Sequence, residues 1–276
     1  MFARFLSASG VRPEDTIVDV GATRDRTYAA NYLEAWYPHK RQLTAVGIDD
    51  ASFLEQLYPG VNFRRADGRA LPFAAGSFDF AHSSAVIEHV GSRAQQAKLL
   101  AEMWRVCRKG LFVTTPNRWF PIELHSALPL VHWLPAPLFR RTLRAIGHRQ
   151  LAEEAHLNLM SRDDLLGAAV AAGIPGARVE AARLAGWSSN LLLIAHKALS
   201  PARRVRNAGT ELLCEGTTIT HSNAQLEHSD GQSPRFLGLA LNPTPGCLHL
   251  PYMVRAVLAA PGPADDHPTA SCERSA

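Results

Sequence analysis

Three carboxylates fall at or just after the ends of successive short apolar runs. Asp19 closes the run Thr16–Val20 with Val20, Asp49 follows Leu43–Ile48, and Asp67-Gly68 follows Val61–Arg65. Acidic side chains grouped this way suit a ligand with hydroxyls, an exocyclic amine and a positive centre. Gly21, next to Ala22 and Thr23, lets the chain turn tightly and lets a ligand approach the backbone. A pyrophosphate fits poorly, because no G-x-x-x-x-G-K-[ST] phosphate loop is present.

A second group could move protons. Ser83 ends the run Phe78–Ser83, and Glu88-His89 follows shortly after it. Glu123, His125 and His132 lie in a later apolar segment. His89, His125 and His132 are the general-base candidates. The alternative for each is a histidine satisfied by structural hydrogen bonds, and for Glu88-His89 a helix start. The four cysteines are Cys107, Cys214, Cys247 and Cys272, none in a C-x-x-C pair, so neither a disulfide framework nor a zinc ribbon is expected, and no metal ligand set is expected.

These residues need elements to position them. Apolar runs alternate with amphipathic stretches up to about residue 200. Strands are predicted over 16–20, 43–48, 61–65, 78–83, 110–115, 179–184 and 190–196. Helices are predicted over 26–36, 52–57, 93–106 and 161–172, the last opened by Ser161 with Asp164 three residues on, a capping signal. Tyr28, Tyr32 and Trp36 form a helical stripe read as core rather than as a binding surface. Strand–helix alternation implies parallel pairing and a doubly wound α/β sheet. The last two runs are joined too closely for a crossover helix and should pair antiparallel. Ligands of such sheets bind beyond the carboxyl ends of the strands, where the acidic residues lie.

VDVGATRD, AVGIDD, RRADGRALPFAAGSFDFAHSSAVIEHV and RKGLFVTTPNRWFPIE, in that order, resemble class I S-adenosylmethionine-dependent methyltransferases. The nearest resemblance is to the type 11 group, which includes ubiquinone- and menaquinone-pathway enzymes, and it covers about residues 10–197. The resemblance implies a Rossmann-like sheet of seven strands, mostly parallel with an antiparallel final strand. It implies S-adenosylmethionine as cofactor, with Asp19, Gly21, Ala22 and Thr23 at its methionine part. Asp49 would take the ribose hydroxyls, Asp67-Gly68 the adenine amine, and Ser83 would stand where the fourth strand opens on the cofactor. The family pattern G-x-G-x-G departs here, with Thr23 and Asp25 in place of two glycines. Thr23 can hydrogen-bond the cofactor carboxylate, and Asp25 is expected to cap the next helix. The implied reaction is O- or C-methylation of a small-molecule or lipid-linked acceptor. A non-catalytic binding module of the same fold is the alternative.

The expected domain spans 1–197, with an apolar, proline-rich lid inserted at about 119–150. Phe139–Leu151 reads as a basic amphipathic helix, which either lies on an anionic membrane surface or packs by its apolar side. Residues 198–276 lose periodicity, and residues 201–276 hold eight of the 18 prolines, so an extension of low order is expected there. The net charge of +4 over 276 residues offers little to nucleic acid, which is not expected as a partner. No run of about 18 apolar residues and no secretory leader is visible, which makes the expected location cytoplasmic, or peripheral at a membrane surface.

Overall fold

The computed structural model describes residues 1–26 and 30–198. The expected extension from 199 onwards, and Tyr28, lie outside the described residues. In chain order the elements are α1 (Phe2–Ser9), β1 (Ile17–Val20), α2 (Tyr32–Trp36), β2 (Leu43–Gly47), α3 (Phe53–Leu57), β3 (Asn62–Arg65), β4 (Phe78–Ser84), α4 (Arg93–Val106), β5 (Cys107–Pro116), α5 (Ala136–Ala145), α6 (Arg162–Ala171), β6 (Arg178–Leu184) and β7 (Trp187–His196).

The seven strands form one sheet in the order β3-β2-β1-β4-β5-β7-β6. The first five run parallel, and β7 is antiparallel to both neighbours. The order reverses between β1 and β4, so their carboxyl ends leave a crevice where the connections part to opposite sides. The β6–β7 hairpin turns on Ala185 and Gly186, whose φ values of 49° and 85° are both left-handed. A two-residue connection with both φ positive matches the right-handed twist of paired strands. That is why the last strand returns antiparallel.

Helices cover both sheet faces, so the central strands are apolar on both sides. On β7, Leu191, Leu193 and Ala195 join Leu99, Leu100 and Met103 of α4 and Leu165 of α6. Leu192 and Ile194 point the other way, to Phe5 of α1, Leu33 of α2 and Leu54 of α3. On β5, Leu111 and Val113 join the first cluster and Phe112 the second. Period-two alternation thus feeds two cores from one strand.

Two elements differ from the sequence reading. The helix expected over 26–36 spans only Tyr32–Trp36. Asn31 is its N-cap residue, the place expected for Asp25, and its side chain is spent on the preceding loop: its amide donates to the Thr23 and Asp25 carbonyls at 3.1 and 2.8 Å, and its carbonyl accepts from Thr23 N at 2.9 Å. The segment Phe2–Ser9, expected only as a short apolar patch, is a helix ended by Gly10 at φ 64°. α6 has the expected capping box: Ser161 Oγ accepts from Asp164 N, and the Asp164 carboxylate accepts from Ser161 N at 2.8 Å.

The insertion after β5 has a small core of its own. Phe139 and Leu143 of α5 pack with Ala152, Leu157 and Leu159, backed by Leu128 and Val131. Arg140 and Arg144 pair with Glu154 and Glu153 at 3.7 and 3.2 Å. The helix ends at Ala145, earlier than expected, and Phe139 and Leu143 on its apolar side face the protein. Among the described residues, no helix is long and apolar enough to cross a membrane.

Candidate functional site

A cleft of about 1260 Å³ opens at the carboxyl ends of β1, β2, β3 and β4. Gly21, Ala22 and Thr23 form its wall after β1, Asp49 after β2, and Asp67 and Gly68 after β3. His89 enters from the turn after β4, and Leu124 and His125 enter from the insertion. The amide groups of Gly21 and Ala22 both donate to Val46 O, at 2.8 and 2.9 Å, which ties the first loop to the end of β2.

Glycines set this approach. A Cβ on Gly47 would stand 2.2 Å from the Ala22 carbonyl oxygen, a backbone atom that cannot swing aside. Gly21 has φ +124°, and a Cβ there would meet Val86 at 2.2 Å. Gly68 is pressed between Leu99 and Val20, each 2.7 Å from where its Cβ would be. Side chains at these positions would push the three loops apart.

The carboxylates that line the cleft after β2 and β3 differ. Asp49 is about half exposed, with Arg24 3.8 Å away. Asp67 is gripped by its neighbour: its carboxylate accepts from Arg69 Nε and Nη2, at 2.9 and 2.6 Å, and from the Arg69 backbone N at 2.8 Å. Those hydrogen bonds hold the Asp67 carboxyl below its ordinary range, despite partial burial. A carboxylate acceptor stands at each of the second and third strand ends. Ile48, Ala66, Val86 and Leu99 supply apolar wall between and beside them. This donor set fits an adenosyl sulfonium: acceptors for ribose hydroxyls and an amine, apolar surface for a flat base, and negative charge near a cation.

Three expected site residues do not line the cleft. Asp19 is buried, and its Oδ1 accepts from His82 Nδ1 at 2.6 Å. Ser83 is fully buried and donates to Val20 O at 2.7 Å, so it ties β4 to β1, while the next residue, Ser84, reaches the cleft. On a strand, a shift of one residue changes the face. His132 is 1% exposed and its Nε2 meets Phe120 O at 2.7 Å, inside the insertion. Burial lowers its pKa, with the Phe120 hydrogen bond acting the other way.

The structure adds a relay absent from the sequence reading. Tyr32 lines the cleft, and its hydroxyl donates to His82 Nε2 at 2.8 Å when Asp19 holds the imidazole proton on Nδ1. Burial, and then the charge of Asp19, raise the Tyr32 pKa above its usual range. Glu34, fully buried nearby, is also pushed well above the carboxylate range by burial and then by Asp19. His82 stacks on Phe112 with ring centroids 5.8 Å apart. Tyr32 of the expected core stripe packs against the second core cluster and also lines the cleft, while Trp36 is half exposed on the cleft wall. The sequence signal was the i, i+4 aromatic pair itself, which does not say which way it faces. Cys107 is the buried thiol expected, pushed up to about 11 by burial.

The insertion brings Glu88, His89, Glu123 and His125 together. Glu88 is fully buried, and its Oε2 accepts from Thr115 Oγ1 at 2.9 Å. Glu123 Oε1 accepts from His125 Nδ1 at 2.7 Å and from His125 N at 2.9 Å, and Oε2 from Ser126 N at 2.5 Å. Burial alone would raise Glu123, but the hydrogen bond and charge of His125, with Ser126, hold it at about 2. Burial likewise works against protonated His125, and Glu123, then Glu88, outweigh it and raise that pKa.

Residues 19–114 match the family model described as a methyltransferase domain. A methyltransferase of Mycolicibacterium gilvum is 44% identical over 91 residues, which cover 32% of this chain and 34% of that protein. The match thus spans about a third of the relative's length. Similar solved structures include an S-adenosylmethionine-dependent methyltransferase from Mesorhizobium loti, with TM-score 0.47 and 14% identity over 71% of this chain and 98% of that one. Another, from Methanosarcina mazei, has TM-score 0.43 and 16% identity over 69% and 95% of the two chains.

Proposed function

We propose that the whole protein transfers a methyl group from S-adenosylmethionine to a small-molecule or lipid-linked acceptor, at oxygen or carbon. The observation that carries this reading is the single cleft that joins Gly21, Asp49 and Asp67 to His89 and His125. The cofactor would supply an activated methyl on a sulfonium, and the protein's part is alignment and exclusion of water. Asp49 would hold the ribose hydroxyls and Asp67, oriented by Arg69, the adenine amine. The Asp19–His82–Tyr32 chain fixes the Tyr32 hydroxyl on the wall beside the first loop. His89 and His125 stand on the acceptor side, where a hydroxyl acceptor must lose a proton.

Support for an apolar acceptor comes from the insertion. Trp119, Trp133 and Trp187 form an exposed aromatic run, with ring centroids 6.4 and 6.5 Å apart, beside exposed Leu134 and Leu138. Tryptophan favours surfaces that are apolar at one end and wet at the other. Any peripheral membrane contact would use this run and the exposed Leu138 and Ile146 at the flanks of 139–151, because Phe139 and Leu143 are buried.

One observation favours the non-catalytic reading. Thr23 and Asp25 replace glycines, and the loop they sit in spends its polar groups on Asn31. A turnover assay with methyl-labelled S-adenosylmethionine separates the two readings. Hydroxylated quinones, phenols and a lipid extract would serve as acceptors. Label is expected in the organic phase with the parent chain and lost with Asp49→Ala. Cofactor binding with no transfer to any acceptor would favour the binding module.

A further inference from the structure

Glu88, His89 and His125 present three ligand-type atoms to one point at the cleft wall. His89 Nε2 and His125 Nε2 are 3.1 Å apart, and each lies 3.9 Å from Glu88 Oε1. A triangle with those sides has a point equidistant from its corners at about 2.1 Å, the length of a zinc–nitrogen or zinc–oxygen bond.

With both rings neutral, the proton positions make the arrangement unfavourable. His89 Nδ1 lies 2.6 Å from the His156 carbonyl oxygen, which can only accept, so Nδ1 carries the proton. His125 Nδ1 donates to the Glu123 carboxylate in the same way. In the neutral form of both rings, the two Nε2 lone pairs then face each other; a further proton on His125 Nε2 would bridge the rings but leave Glu88 Oε1 without a partner. Glu88 Oε1 is buried and has no hydrogen-bond partner, on a residue that is 0% exposed. A buried carboxylate oxygen without a partner bears its full desolvation penalty. A cation between the three atoms would satisfy all of them.

We propose that Glu88 Oε1, His89 Nε2 and His125 Nε2 form a binding site for a divalent transition metal of the zinc type. Two imidazoles and one carboxylate are borderline donors, which suit zinc and its neighbours better than magnesium or calcium. The outer shell is already in place. Glu123 orients His125, the His156 carbonyl orients His89, and Thr115 holds the other oxygen of Glu88. Three protein ligands with the histidines on the cleft wall leave a coordination position for water or for an oxygen of the acceptor. Ion binding at these atoms is independent of the cofactor. A role for the ion in activating an acceptor hydroxyl rests on the methyl-transfer reading.

Neither histidine pattern alone announces this site. Glu88-His89 follows β4, His125 comes from the insertion, and 36 residues separate the two rings. Asn158 and Gln96 fix the Glu88 turn: Asn158 N donates to Glu88 O at 2.7 Å, and Gln96 Nε2 to the Ile87 and Asn158 carbonyls at 3.1 and 2.9 Å.

The test uses the untagged full chain, stripped with chelator. Zinc is titrated in competition with a chromophoric chelator, and cobalt(II) is followed by its visible d–d absorption. The expected result is about one equivalent of zinc and a cobalt spectrum of low coordination number. His125→Ala and Glu88→Gln should each weaken zinc by about 100-fold or more, and Glu123→Gln, which removes no ligand, by about 10-fold. Circular dichroism checks that each variant is folded, and Glu88→Gln, which keeps shape and the Thr115 contact, serves if the histidine variant is not. No zinc binding by the folded parent chain, or binding that neither His125→Ala nor Glu88→Gln weakens, would overturn the proposal. Binding of S-adenosylhomocysteine to the same stripped chain tests the cofactor separately.

Discussion

The two walls of the cleft are built on different principles. The wall at the ends of β1, β2 and β3 is made of backbone: Gly21, Gly47 and Gly68 let three loops close together, and Asp49 and Asp67 emerge at fixed heights from paired strands. The opposite wall is made of side chains, where Glu88 and His89 after β4 meet Glu123 and His125 of the insertion. The first wall tolerates almost no added volume. The second depends on charges and on the packing of Phe139, Leu143, Leu157 and Leu159. Position is set by the sheet in one case and by a local hydrogen-bond network in the other.

This contrast predicts different responses to mutation. The largest combined effect, on stability and cofactor binding together, is expected at Gly47. Gly47→Ala puts a methyl 2.2 Å from a backbone oxygen, so β2 and the first loop must separate. We expect a loss of about 2–3 kcal/mol of stability and no measurable cofactor binding, read by thermal denaturation and calorimetry. A folded variant that still binds would show that the first wall is softer than its packing implies.

Leu143→Ala removes a fully buried side chain from the core of the insertion. It should cost about 2–4 kcal/mol where unfolding of that region is monitored by hydrogen exchange, with cofactor affinity changed by less than about 3-fold. A large fall in cofactor affinity would mean that the two walls are not separable.

Asp49→Ala comes next. Loss of hydrogen bonds from ribose hydroxyls to a carboxylate should weaken cofactor binding by about 10–100-fold and leave the thermal midpoint nearly unchanged, because Asp49 is half exposed and its pairing with Arg24 is worth little. Unchanged affinity would remove Asp49 from the ribose contact.

The smallest effect concerns the far end of the sheet and serves as a control. Asp79 accepts from Thr16 N at 3.0 Å and from Arg108 Nη2 at 3.0 Å, and Lys109 stands 3.3 Å away. Burial opposes its charge, but these partners win and hold the pKa below the ordinary carboxylate range. A depressed carboxylate contributes stability above its unfolded pKa, and that stability is lost as pH falls through the folded value. Asp79→Asn should therefore cost about 1–2 kcal/mol near pH 7, with the difference shrinking below about pH 4. A difference that persists in acid would assign the effect to packing rather than charge.

The two walls also differ in how far they can be read from sequence. The first wall is local. Each acidic residue follows its own apolar run, and continuous apolar runs such as Leu191 to Ala195 mark the strands buried on both faces of the sheet that aligns them. The helix Arg93–Val106 and the capping box at Ser161 are equally local, and the structure has both as read. The reading fails where a side chain answers to something distant. Ser83 and Ser84 are adjacent polar residues, and only the pairing of β4 with β1 decides which one is buried. Asp19 turns to His82 across 63 residues, and no spacing rule reports that contact. Glu123 and His125 are two apart and could be paired by eye, but the meeting of His125 with His89 needs the folded insertion. Asn31 shortens α2 by spending its side chain on the loop before it, an arrangement that helical periodicity cannot register.

The most direct measurement is a calorimetric titration of the full chain with S-adenosylhomocysteine, alongside the same titration of Asp49→Ala. Saturable binding at about one equivalent, weakened in the variant while its circular dichroism is unchanged, is the predicted result. A folded parent chain that releases no heat and shows no thermal shift at millimolar ligand would contradict the assignment of this cleft to an adenosyl sulfonium.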